Sequence, residues 1–368
     1  MLPKDADQAL LVGRAWTEGK VPGPTPVLVR GEELLDISSV APTVSALLEI
    51  TDLPKRLQSR FPSVGKLASA KLLSPLDLQA VKASGVTFVT SLLERVIEEQ
   101  ARGDPARAKA IRGRVEELVG GDLSRIRPGS PEAMALKKVL MEQKAWSQYL
   151  EVGIGPDAEI FTKCPPMASV GYGADIGILR TSTWNNPEPE IVLVVNSRGE
   201  TVGATLGNDV NLRDVEGRSA LLLGRAKDNN ASCAVGPFIR LFDGRYGIER
   251  VRRSDIALTV DGEDGFRLEG VSSMAKISRD PLDIVRHAMN ENHQYPDGLA
   301  LFLGTMFAPI QDRDAPGEGF THKRNDKVRI STPDLGVLEN RVRYCDEIAP
   351  WSFGTGALMK NLAQRGLL

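Results

Sequence analysis

The chain has 368 residues, of which 42% are hydrophobic and 26% charged, with a formal net charge of −2. That balance predicts a soluble globular protein of two domains, or one large domain with an appendage, with no nucleic-acid partner and no run long enough to cross a membrane. Cys164, Cys233 and Cys345 are widely spaced without a CxxC, which argues against a disulfide framework or a zinc ribbon and suits a reducing cytoplasm.

The start, Met1-Leu2-Pro3-Lys4-Asp5-Ala6-Asp7, has no apolar h-region, so no signal peptide is expected. Residues 1–68 read as a small N-terminal α+β domain, with strands at 25–30 and 34–37 and a helix at 43–50. Residues 52–64, with Pro54 and Pro62, read as a connection to a main domain over 69–368. From 91 to 150 the composition turns charged and helix-favouring. Leu92, Leu93, Val96 and Ile97 recur at helical spacing, Ile111 and Val115 to Val119 mark a second helix, and 131–149 a third. Gly120-Gly121-Asp122 and Pro128-Gly129-Ser130 break the run. Strand patterns then dominate: 191–195, 201–206, 238–242, 255–260, 266–271, 300–303 and 327–331, with helices at 218–226 and 281–290. Many short strands with few helices predict a mostly antiparallel barrel or sandwich.

The chemistry concentrates at Glu188-Pro189-Glu190 and Asp209. The β-branched run after Glu190 is a buried strand, and residues two apart on a strand project from one face. Glu188 and Glu190 therefore present two carboxylates side by side, which repel unless a cation neutralises them or one is protonated. Asp209 closes the next strand, and the turn Asn196-Ser197-Arg198-Gly199 brings it back beside the pair. Three hard oxygen ligands with room for water describe magnesium or manganese better than zinc. A solvated surface pair is the bland alternative. Other motifs fail: Gly171 to Gly177 is no dinucleotide fingerprint, and His287, His293 and His322 form no triad or zinc pattern.

Downstream lie Arg213-Asp214-Val215-Glu216, then Arg225-Ala226-Lys227-Asp228, then Gly236-Pro237-Phe238. This order of parts resembles the fumarylacetoacetate hydrolase superfamily, with its E-x-E, N-D-x-(S/T)-x-R-D-x-Q, K-(S/D) and G-P-(W/F). Glu216 stands where the family has Gln, and Asn211 where it has Ser or Thr. Phe161-Thr162-Lys163 looks like the family's F-x-K, and Gly304-Thr305 like its T-G-T. Gly153 to Lys163, Lys227 to Cys233 and Phe302 to Pro309 are similar to the 2-keto-3-deoxy-D-xylonate dehydratases within it.

The resemblance implies a helical lid at about 91–150 and a homodimer or dimer of dimers acting on a small sugar acid. It implies dehydration of a 2-keto-3-deoxy-D-pentonate to 2,5-dioxopentanoate, with magnesium held by Glu188, Glu190 and Asp209. Lys227 becomes the favoured proton-handling group, its pKa expected to fall beside a dication; the alternative is a lysine salt-bridged to Asp214 or Asp228. Arg213, Glu216, Gly304 and Thr305 become substrate contacts. The family's hydrolases activate water with a His–Glu pair; here Ser91 replaces the His while Glu94 keeps its place. A serine is no general base near neutral pH, whereas a lone carboxylate can pass a proton to a leaving hydroxyl, so elimination is favoured. The alternatives are a C–C hydrolase of a 2,4-diketo acid and a metal-dependent binding module without turnover.

Overall fold

The computed structural model of the chain describes residues 1–110, 113, 126–142, 146–316 and 319–368. The helix expected around Ile111 and Val115 to Val119, and the Gly120-Gly121-Asp122 break, lie outside the described residues.

The N-terminal part forms β1 (Leu11–Thr17), β2 (Gly23–Arg30) and β3 (Glu33–Asp36), helices α1 (Val44–Leu48) and α2 (Leu53–Arg56), then β4 (Ser63–Lys66) and β5 (Lys71–Leu73). Thr43 caps α1, its hydroxyl accepting the Ala46 N–H, and Pro54 sits in the first turn of α2, where its missing N–H costs nothing. After β6 (Ala80–Gly85) and helix α3 (Val89–Ala101) come β7 (Glu159–Cys164), β8 (Asp175–Ile178), β9 (Asn185–Asn186), β10 (Pro189–Val195), β11 (Thr201–Asp209) and β12 (Asn211–Leu212). The rest is β13 (Cys233–Leu241), β14 (Asp255–Asp261), β15 (Arg267–Ser273), β16 (Leu299–Phe302), β17 (Lys327–Thr332) and β18 (Gly336–Tyr344).

Sixteen of these strands make an eleven-stranded sheet, ordered β4-β3-β2-β1-β13-β11-β10-β16-β6-β7 with β5 beside β1, and a five-stranded sheet, β15-β14-β17-β18-β8, while β9 and β12 pair with each other. Both sheets are open, so the barrel expected as one option is not formed among the described residues. Pairing is antiparallel except for β16 with β6 and β18 with β8. β1 pairs directly with β13, Val12 opposite Ile239, so the large sheet runs across the boundary expected at 68/69.

Alternation along β10 explains the layering. Ile191, Leu193 and Val195 face a core shared with Ile256, Leu258 and Val260 of β14 and Val328 and Ile330 of β17. Val192 and Val194 face the opposite core, with Val44, Leu47 and Leu53 of the N-terminal helices. A strand covered on both faces needs apolar residues at every position, as Ile191 to Val195 supply. A third cluster joins Leu92, Val96 and Ile97 of α3 to Leu140, Leu150 and Trp184.

Two expected helices differ in detail. The one at 131–149 is split into Pro131–Glu142 and Gln148–Ile154, the second capped by Ser147, whose hydroxyl accepts the Leu150 N–H at 3.3 Å. The one at 218–226 is a single turn of 3-10 helix followed by Leu223–Lys227, because Ser219 caps the turn locally and accepts the Leu221 N–H. β1 has no counterpart in the sequence reading. Gly13 and Arg14 interrupt its apolar pattern, yet both have partners: a Cβ at Gly13 would come within 2.7 Å of the Phe238 ring, and Arg14 is buried with its Nε donating to the Ser74 carbonyl at 2.9 Å.

Candidate active site

The ladder between β10 and β11 sets Glu190 opposite Gly207, and the Asp209 N–H donates to the Glu188 carbonyl at 3.0 Å. One end of a rigid strand pair therefore carries Glu188, Glu190 and Asp209, each offering a carboxylate oxygen within 4.8 Å of the others. All three are buried. Like charges this close in a low dielectric need compensation, and the chain supplies it unevenly.

Lys227, at the end of helix Leu223–Lys227, donates to Glu188 Oε2 and, at 3.1 Å, to Asp209 Oδ2. Lys163, ending the F-x-K on β7, pairs with Asp209 Oδ1 at 2.7 Å and donates to the carbonyls of Val210 and Lys227. Arg95 of α3 reaches Glu188 Oε1 at 2.6 Å, Glu98 at 2.5 Å and Glu216 at 3.0 Å. Glu190 instead accepts the Gly304 N–H at 2.6 Å. Gly304 has φ +86°, and a Cβ there would strike the Thr87 hydroxyl at 2.1 Å; the position needs glycine to turn its amide toward the carboxylate.

These contacts set the titration of each group. Burial opposes the charge on Glu190, and Asp209 and Glu188 add to it, so its carboxyl is pushed well above the usual range. Burial also raises Glu188, against the pull of Lys227 and Arg95. Burial works to raise Asp209, but Lys163 and Lys227 outweigh it and its carboxyl is lowered. Burial disfavours the Lys227 ammonium, yet Asp209, Glu188 and Glu216 prevail and raise it above the ordinary lysine value. Lys227 is thus an ammonium stabilising carboxylates, its partners being Glu188 and Asp209 rather than Asp214 or Asp228. Three hard, buried, mutually repelling oxygens with no imidazole or thiolate among them fit a hard divalent cation.

The cleft around this cage brings together the candidate catalytic and substrate-contact residues named from the sequence. Ser91, Glu94, Arg213, Glu216, Gly304 and Thr305 line it beside the cage and Lys227. Ser91 donates its hydroxyl to the Phe88 carbonyl at 2.9 Å. Arg213 stacks 4.1 Å from the centre of the Trp184 ring and bonds Glu98 at 2.7 Å, Glu94 at 3.2 Å and the Pro309 carbonyl at 3.2 Å. Its donors thus brace α3 against the site. Thr305 accepts the Phe307 N–H at 3.1 Å, shaping the loop after β16.

Sequence reasoning missed Arg95, Glu98, Glu159 and Asn186. Glu98 follows Glu94 by one helical turn, a spacing that places both on one face of α3 and was a usable signal. Glu159 stands opposite Gly85 at the β6–β7 pair. Burial, reinforced by Glu216, raises its carboxyl to about 7. A carboxyl raised on folding contributes stability that is present below its unfolded value and lost as pH rises through the folded one. In chelator-treated protein, stability relative to Glu159→Gln is therefore expected to fall from about pH 4.5 to about pH 7 and then level. Thermal melts across that range check it; parallel curves for the two proteins would show that Glu159 titrates normally.

The model of the family described as "Fumarylacetoacetate (FAA) hydrolase C-terminal" matches residues 134–343. The chain belongs to the fumarylacetoacetate hydrolase family. The metal-binding candidates, Lys163, Lys227 and Gly304 lie within that family segment, whereas Ser91, Glu94, Arg95 and Glu98 precede it. Among curated relatives, the 2-dehydro-3-deoxy-D-arabinonate dehydratase of Saccharolobus solfataricus is 32% identical over 185 residues, half of this chain and 58% of that protein. The probable 2-keto-3-deoxyxylonate dehydratase of Haloferax volcanii is 28% identical over 194 residues, 53% of this chain and 63% of that one. The matches thus span about three-fifths of these relatives' length. A 2-keto-3-deoxy-D-arabinonate dehydratase solved with magnesium and 2,5-dioxopentanoate has the same fold, with a TM-score of 0.63 at 21% identity over 91% of this chain and 99% of that one.

Proposed function

We propose that this family member is a hydro-lyase, dependent on magnesium or on manganese in its place, that dehydrates a 2-keto-3-deoxy-D-pentonate to 2,5-dioxopentanoate. The observation carrying the reading is the buried Glu188–Glu190–Asp209 cage with the Lys227 ammonium set into it. The two curated relatives, both named as dehydratases of such acids, support the substrate class.

A cation in the cage would supply Lewis acidity to a bound 2-keto acid, making a proton on C3 far more acidic. With a cation neutralising Glu188 and Asp209, Lys227 would give up its own proton and take the one leaving C3. Glu94, oriented by Arg213, passes a proton to the hydroxyl leaving C4, so that C3 loses hydrogen, C4 loses oxygen and one water departs. The unsaturated keto alcohol left behind becomes the aldehyde by moving protons from C5 and its hydroxyl to C3 and C4. Ser91, hydrogen-bonded to a carbonyl, has no histidine to activate it, which favours elimination over the hydrolysis of a 2,4-diketo acid.

The deciding measurement is turnover of 2-keto-3-deoxy-D-pentonate and of acylpyruvates, with magnesium and after chelation. Dehydration of the first, dependent on the cation, is expected. Cleavage of acylpyruvates without dehydration would replace this reading by the hydrolase, and binding without turnover of either would replace it by a non-catalytic module.

A further inference from the structure

Most of the polar side chains on the cleft lining are charged, and all of those but Glu190 stand in ion pairs. Among the described residues Asn186 is the one amide side chain on that lining. It is 2% exposed, and a two-residue ladder with Asn211 holds its backbone. Its amide nitrogen donates to the Pro187 carbonyl at 2.9 Å. A carbonyl can only accept, so this contact fixes which end of the amide is nitrogen. The other end, Oδ1, is buried without a hydrogen-bond partner. An acceptor left unmade in such a place destabilises the fold, and a donor arriving with the ligand removes that penalty. The Ser84 hydroxyl on the same lining is also without a partner, but it rotates and both donates and accepts, so it discriminates little. An amide oxygen only accepts. It attracts an O–H, gains nothing from a methyl group and repels a carboxylate.

Resting on the dehydratase reading, we propose that Asn186 Oδ1 accepts a hydrogen bond from the C5 hydroxyl of the substrate, so that Asn186 selects 2-keto acids ending in a hydroxyl over those ending in a methyl or a carboxylate. The C4 hydroxyl leaves during the reaction and must face a proton donor, which an amide oxygen is not. The C5 oxygen donates in the substrate but has no hydrogen in the product aldehyde, so the contact is lost on turnover and favours product release.

The test compares kcat/KM, with magnesium present, for the 2-keto-3-deoxypentonate and for 4-hydroxy-2-oxopentanoate, which carries a methyl group at C5. The wild-type protein is expected to prefer the hydroxylated acid by at least about tenfold, the worth of one well-made hydrogen bond. Asn186→Ala should bring the ratio within about twofold by losing activity on that acid alone. Asn186→Asp, which keeps an acceptor, should retain the preference whatever its absolute rate. Wild-type turnover of both acids without preference would overturn the assignment while leaving the dehydratase reading intact; turnover of neither would remove the reading itself. Equal losses on both acids in Asn186→Ala would mean a positioning role and overturn it. So would a weaker magnesium-induced rise in melting temperature in that variant, since the donor would then be a water on the cation. Should Asn186→Ala not fold, a lost preference in folded Asn186→Asp would overturn it equally.

Discussion

Lys227→Met is expected to lower dehydration by about 10²–10⁴-fold, the usual contribution of a proton-transferring side chain, while the protein still binds magnesium. The side chain lies buried between Glu188 and Asp209, and removing one partner of a buried ion pair costs about 3–5 kcal/mol. Metal-free Lys227→Met should therefore melt well below the wild type. Magnesium would restore the missing positive charge, so its stabilising effect should be larger in the variant. Metal titration followed by thermal melts, beside steady-state rates at saturating magnesium, separates the two roles. A rate loss of less than about tenfold, with the melting behaviour as described, would make Lys227 a charge-balancing residue only.

Glu190→Gln should reverse sign with metal. In the metal-free protein the buried carboxylate is opposed by burial, Asp209 and Glu188. Such a group destabilises the fold increasingly as pH rises above its unfolded value, so the neutral glutamine should melt higher at neutral pH. With magnesium at about a hundred times its dissociation constant, the wild type gains roughly 2.7 kcal/mol from binding, and the variant, one charge short, far less. The two melting curves are therefore expected to exchange order as magnesium is added. Equal shifts in both proteins would remove Glu190 from the cage.

The cage was legible because its information is local. Glu188 and Glu190 are two apart beside a run of β-branched residues, and one turn returns Asp209 to them, so strand geometry alone assembles the three. Gly304 and Lys163 carried a motif, but not the reason for it. Lys163 compensates Asp209 and Gly304 turns an amide to Glu190, contacts between residues far apart in the chain. Arg95 and Glu98 were harder. Helical periodicity tells which residues of α3 share a face, yet not that this face lies over the carboxylates. β1 was hidden by Gly13 and Arg14, whose partners Phe238 and Ser74 come from distant strands and loops. Open sheets in place of a barrel follow from pairings between remote strands, which alternation cannot specify.

The pairing of β1 with β13 bears on how this chain can be shortened. β13 begins at Cys233, opposite Asp209 in the neighbouring strand, and towards its other end Ile239 and Arg240 are flanked on the far side by residues from the chain's beginning. Cutting away residues 1–68 would leave part of an apolar, fully buried strand with bare amides and carbonyls exposed to solvent, a template for adding strands from other molecules. A shortened chain that drops residues 1–68 but keeps α3 with Glu94 and Arg95 would inherit that hazard, and aggregation rather than loss of chemistry would be its first failure.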